Sequence, residues 1–85
     1  MAELYNGWKN RQTWNVALWL GNDRGLYLAT IAIVKRLGDA LSDTAIREFC
    51  EEQFPKGVTP DGDSLIGVDW YSIRDAAKDM VATDA

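Results

Sequence analysis

The chain reads as an all-α domain of four helices, with an α+β variant carrying one minimal hairpin as the alternative. Three observations predict this. Apolar residues recur at three- and four-residue spacing in four separate stretches, each stretch follows a side chain suited to a helix N-cap, and segments rich in glycine, proline and aspartate divide them. The 85 residues suffice for one domain, taken as 1–85.

The first stretch holds three of the four tryptophans, Trp8, Trp14 and Trp19. Tryptophan dominates the energetics of cores and interfaces alike, so the cluster marks either the middle of the fold or a docking place. Residues 1–9 form an arm held by Leu4, Tyr5 and Trp8, with Gly7 turning the backbone. Asn10 caps a first helix over 11–20, in which Trp14, Ala17 and Leu18 make one apolar face while Val16, Trp19 and Leu20 fall elsewhere on its girth. Gly21 sits where a left-handed C-terminal residue is wanted, and Asn22 or Asp23 can cap a second helix.

Residues 26–34, Leu-Tyr-Leu-Ala-Thr-Ile-Ala-Ile-Val, have the β-branched content of a buried strand. The capping Asp23, the terminal Lys35-Arg36 and the following Gly38 are helix punctuation instead, and predict that second helix over 24–37 next to the first. Ser42, Asp43 and Thr44 offer N-caps for a third, where Ala45, Ile46, Phe49, Cys50 and Phe54 share a face opposite Arg47, Glu48, Glu51 and Glu52, ending before Pro55. From 55 to 68 the composition turns to Gly, Pro, Asp and Ser, with Thr59-Pro60-Asp61-Gly62-Asp63 as a turn that Val58 and Leu65-Ile66 could close into a hairpin. Asp69 caps a fourth helix over 70–81, with Trp70, Ile73, Ala77 and Met80 inward and a fraying tail after it. The expected core is Trp14, Leu18, Leu26, Ile33, Ile46, Phe49, Ile73 and Ala77.

Composition narrows the chemistry. The chain contains no histidine and a single cysteine, Cys50, which removes intramolecular disulfides, cysteine-rich zinc sites and histidine acid–base catalysis. Cys50 reads as an inert core thiol. The start carries no signal-peptide pattern and no run of eighteen apolar residues occurs, so a cytoplasmic protein with no membrane partner is expected. The net charge of −4 divides into five basic and three acidic groups in residues 1–42 against four basic and ten acidic in 43–85. The acidic half suits solubility or contact with a basic surface, solubility first, and argues against binding a phosphate backbone there.

Asp61, Asp63 and Asp69 do not have calcium-loop spacing, because Leu65 and Ile66 stand where a ligand and the turn glycine are needed; a solvated turn is expected. Glu48, Glu51 and Glu52 form the wet face of a helix, without an accompanying base or nucleophile. Gly21, Gly25 and Gly38 lack phosphate-loop spacing. No cofactor, metal or enzymatic activity is therefore expected.

Lys9, Arg11, Arg24, Lys35 and Arg36, interleaved with Tyr5, Trp8, Trp14 and Trp19, carry the residue types of a single-stranded nucleic-acid surface. They are few and dispersed, which makes nucleic-acid binding the second reading. The first is a non-enzymatic protein-binding module with Tyr5, Trp8, Lys9, Arg11 and Trp19 as candidate partner-binding residues: Trp8 lies outside the helix and Trp19 off the Trp14–Leu18 face. A structural homo-oligomer is the third.

Asn6-Gly7-Trp8, Asn10, Thr13-Trp14-Asn15-Val16-Ala17-Leu18-Trp19 and Asn22-Asp23 resemble the N-terminal signature of small, functionally uncharacterised domains of bacteriophages and bacteria. The resemblance covers about a fifth of the chain. It implies a phage or mobile-element origin and transfers no residue role; small phage proteins commonly bind and block host proteins, restriction and CRISPR machinery included.

Overall fold

The computed structural model describes residues 4–84, the side chain of Asp84 excepted. Expectations for residues 1–3 and 85 lie outside the described residues. Four helices succeed one another: α1 (Arg11–Asn22), α2 (Arg24–Leu37), α3 (Asp43–Gln53) and α4 (Trp70–Asp84), with a 3₁₀ turn at Gly38–Ala40 between α2 and α3. Among the described residues there is no strand; the bridges Tyr5 to Trp8 and Val58 to Ser64 are isolated.

The helix ends obey side-chain chemistry. Asn10 Oδ1 accepts the Thr13 amide, Asp23 Oδ1 the Leu26 amide and Ser42 Oγ the Ala45 amide, each satisfying a donor that the first helical turn leaves open. Asp69 does the same for α4, taking the Ser72 hydroxyl at 2.7 Å and its amide at 3.5 Å. Gly38 ends α2 with φ of +52°, a conformation other residues avoid. The apolar, β-branched run 26–34 is helical throughout, so its caps outweigh its strand propensity.

Gly21 corrects the sequence expectation. It lies inside α1, which runs two residues beyond 20, and Asp23 alone forms the link: its amide closes α1 on Trp19 O while its carboxylate opens α2. One extended residue performs both tasks, so no left-handed glycine is needed. α4 also extends past 81, through Asp84, and Thr83 Oγ1 donates back to Asp79 O at 3.0 Å.

α4 is the central element: it packs on α1, α2 and α3, and α1 also packs on α2. Val16, Leu20, Val34, Leu41, Ile46, Phe49, Cys50, Phe54, Leu65, Val68, Ile73 and Ala77 form one buried cluster. Ile46, Phe49, Ile73 and Ala77 match the expected core. Trp14, Leu18, Leu26 and Ile33 are only half-buried, and Thr13, Val16 and Leu20 of α1 and Thr30, Ile31 and Val34 of α2 are buried in their place. Both helices are rotated from the phase that their apolar residues alone suggest, and the side-chain donors of the buried Thr13, Asn15 and Thr30 are satisfied. Thr30 Oγ1 donates to Leu26 O inside its own helix, and Thr13 and Asn15 bond the loop between α3 and α4.

That loop, residues 54–69, is a folded piece with a tight tip. Gly62 N–H donates to Thr59 O across Pro60 and Asp61, and Thr59 N–H to Asp63 O, both at 2.8 Å. Gly62 has φ of +86°, the left-handed residue that a three-residue loop of this kind requires. The hairpin expectation is corrected in register: Ser64 bridges Val58, Leu65 is buried with its amide on Gly57 O at 3.0 Å, and Ile66 points out of the fold, 85% exposed.

Candidate functional site: the tryptophan-rich end and the acidic loop

Asn6 and Gly7 occupy the two central positions of a tight turn, with φ of +49° and +89°. Tyr5 and Trp8 exchange both backbone hydrogen bonds, at 2.6 and 2.8 Å. Asn-Gly at these positions is the favoured chemistry of a two-residue hairpin turn, in which both central residues need positive φ. The turn delivers Tyr5 and Trp8 to opposite tasks.

Tyr5 faces α1. Its ring centroid lies 5.2 Å from that of Trp14, and its hydroxyl accepts from Arg11 Nη1 at 3.1 Å. The Arg11 guanidinium stands 5.9 Å and 5.7 Å from the Tyr5 and Trp14 ring centroids, within cation–π range. Its Nε meets both oxygens of Asp63 at 3.1 Å. These bonds hold the Arg11 pKa above its usual value, with the Asp63 hydrogen bond as the largest cause. Asp61, on the same loop tip, accepts from Asn15 Nδ2 at 2.8 Å and Trp19 Nε1 at 3.0 Å on a single oxygen. These two donors, Asn15 first, hold its carboxyl below the usual carboxylate range. Asn15 Oδ1 is buried without a partner among the described residues. The orientation is nevertheless fixed, since turning the amide would set that oxygen against a carboxylate.

Lower on α1, Asn10 Nδ2 donates to Gly67 O at 2.7 Å, and Thr13 Oγ1 both donates to Asn10 Oδ1 at 2.6 Å and accepts from Asp69 N–H at 2.9 Å. Asn10, Arg11, Thr13, Asn15 and Trp19 therefore latch the acidic loop onto α1 along its length. Asp61 and Asp63 lie in the expected turn, Asp61 exposed and Asp63 partly so, and both carboxylates are also bonded to α1. Residue types at 61 and 63 carry no signal of this, because their donors lie more than forty positions away.

Of the candidate partner-binding residues, Arg11 and Trp19 thus have their polar groups engaged inside the chain, Tyr5 is exposed with its ring tilted against Trp14, and Lys9 is exposed. Trp8 is half-buried, packs against the core from outside, and opens on a surface cleft of about 220 Å³ that it shares with Tyr71, Ser72, Asp75, Ala76 and Asp79 of α4. Tyr71 is 58% exposed and was missed by sequence reasoning, since it lies off the buried face of its helix. A broader groove of about 670 Å³ lies beside Ile66, floored by Phe54, Leu65 and Trp70 and rimmed by Arg47, Lys56 and Glu51.

Cys50 is fully buried and free, its thiol pushed up to about 12 by burial, with the Glu51 charge adding to it. Among the described residues no group of three acidic, cysteine or histidine side chains is placed to hold a metal ion. No helix among them is long and apolar enough to cross a membrane.

Fold and surface define a small four-helix domain whose acidic loop is fastened to its first helix and whose aromatic turn edges an open cleft. The chain belongs to DUF7249, a family of unknown function, whose pattern matches residues 1–83. No curated protein and no solved structure matches it.

Proposed function

We propose that the chain is a non-enzymatic protein-binding module. Its signature and small size further suggest a phage-encoded modulator or inhibitor of a host or defence complex, such as restriction or CRISPR machinery, working in the host cytoplasm. One observation carries the reading: Trp8 and Tyr71 meet at an open cleft, one presented by a tight turn and the other by a helix. Aromatic anchors of this kind, held in place before a partner arrives, lose little conformational entropy on binding. Nucleic-acid binding through the N-terminal half is the weaker reading, because Arg11, at its centre, is neutralised by Asp63.

The test is affinity capture from bacterial lysate with the parent, Trp8→Ala and Tyr71→Ala, each first shown to be folded. The expected outcome is a protein retained by the parent and lost or weakened by about 2 kcal/mol or more in the variants. Equal retention by all three contradicts the anchor. Binding of DNA with a steep salt dependence would replace it with the second reading, and a dimer that Tyr71→Ala dissociates would replace it with the homo-oligomer.

A further inference from the structure

The cleft beside α4 has a chemistry that selects its occupant, and the inference drawn from it rests on the protein-binding reading above. Asp75 and Asp79 stand one helical turn apart on the exposed face of α4 that Tyr71 begins. Like charges at this spacing repel, and among the described residues neither carboxylate is paired with a cation. Asp43 and Asp63, by contrast, are held by Arg74 and Arg11 at 3.2 Å and 3.1 Å. The same guanidinium of Arg74, which does not line the cleft, also lies over the Tyr71 ring, 5.0 Å from its centroid.

Size agrees with charge. At about 220 Å³ the cleft is smaller than the roughly 300–1,000 Å³ of small-molecule pockets, and it suits one long side chain inserted from a neighbouring surface. The groove beside Ile66 is larger, but its rim carries both signs of charge and discriminates no class of partner.

We propose that this cleft receives the cationic end of an arginine or lysine on a basic segment of a partner protein, with the Trp8 ring against the stem and cation and with Asp75 and Asp79 as counter-ions. A bound cation relieves the repulsion between the two carboxylates, and a long apolar stem covers the indole face.

The experiment is a titration of the full chain with a tri-arginine peptide amide, monitored by ¹H–¹⁵N NMR, with tri-serine as control. The arginine peptide is expected to shift the Trp8 indole resonance and the amides of Asp75 and Asp79 saturably, more weakly as salt rises. The double variant Asp75→Asn/Asp79→Asn should lower the affinity about five-fold or more, while Glu48→Gln/Glu52→Gln, which removes the same charge from the outer face of α3, should change it less than about two-fold. Absence of shifts around Trp8, or equal weakening by the two double variants, overturns the proposal. A lysate partner that Asp75→Asn/Asp79→Asn retains but Trp8→Ala loses also overturns it, and leaves the protein-binding reading standing.

Discussion

The hydroxyl of Thr13 joins the N-cap of one helix to the N-cap of another: it donates to Asn10 Oδ1 at 2.6 Å and accepts the amide of Asp69 at 2.9 Å. Asn10 opens α1 and Asp69 opens α4, so the start of the central helix is positioned by the start of the first. Thr13 is fully buried, and both bonds are partly buried.

Replacing Thr13 by valine keeps the shape and removes both bonds. The Asp69 amide is then left without its partner, and the expected loss is about 2 kcal/mol, with Thr13→Ser recovering most of it. Urea unfolding of the three proteins measures this. A valine variant as stable as the parent would mean that the hydroxyl does not link the caps.

Asp61 predicts a pH dependence. Its folded pKa is depressed by Asn15 and Trp19, so its contribution is in place above the ordinary value of 3.8 and disappears as the pH falls through the lower folded value. Thermal melts between about pH 5 and 2 should therefore show a decline in the parent that Asp61→Ala, which starts less stable, shows less steeply. Parallel profiles would indicate that Asp61 is not bonded in solution.

The rotated face of α1 predicts a ranking of truncations. Ile73→Ala, in the buried cluster, should cost roughly 2–5 kcal/mol, whereas Trp14→Ala, half-buried against Tyr5 and Arg11, should cost roughly half of the 3–5 kcal/mol typical of a core tryptophan. Chemical denaturation of both variants checks the order. A reversed order would return Trp14 to the core.

Burial predicts that Cys50 is inert. With its thiol at about 12 and no solvent access, modification by a thiol reagent in the native state should proceed only through opening of the fold and slow down as the protein is stabilised. A rate matching that of an unfolded peptide would contradict this.

Local chemistry makes most of the fold legible. Asn10, Asp23, Ser42 and Asp69 each announce a helix start by residue type, and the face of α3 reads directly because its apolar residues are confined to one side. α1 is the harder case, since apolar residues surround it and its phase depends on Thr13 and Asn15 meeting Asp69 and Asp61. No periodicity reports a partner 46 or 56 positions away. The same blindness affects the site. Trp19 reads as available because it falls off the Trp14–Leu18 face and its acceptor, Asp61, is distant in sequence, and nothing marks Tyr71 because its companion at the cleft, Trp8, belongs to a turn at the other end of the chain.

Asn10, Arg11, Thr13, Asn15 and Trp19 fasten the acidic loop to α1, and under the proposed function the Trp8 edge is what remains for a partner. Amide hydrogen exchange at Leu65 and Asp69 tests this fastening most directly, because Leu65 donates within the loop and Asp69 donates to Thr13. A latched loop predicts exchange on the order of 10²-fold or more below unstructured rates at both amides, and selective loss of that protection at Asp69 in Thr13→Val. Exchange at unprotected rates in the parent would mean that the loop is open, that Arg11 and Trp19 are available at the surface, and that the partner site has to be sought there instead.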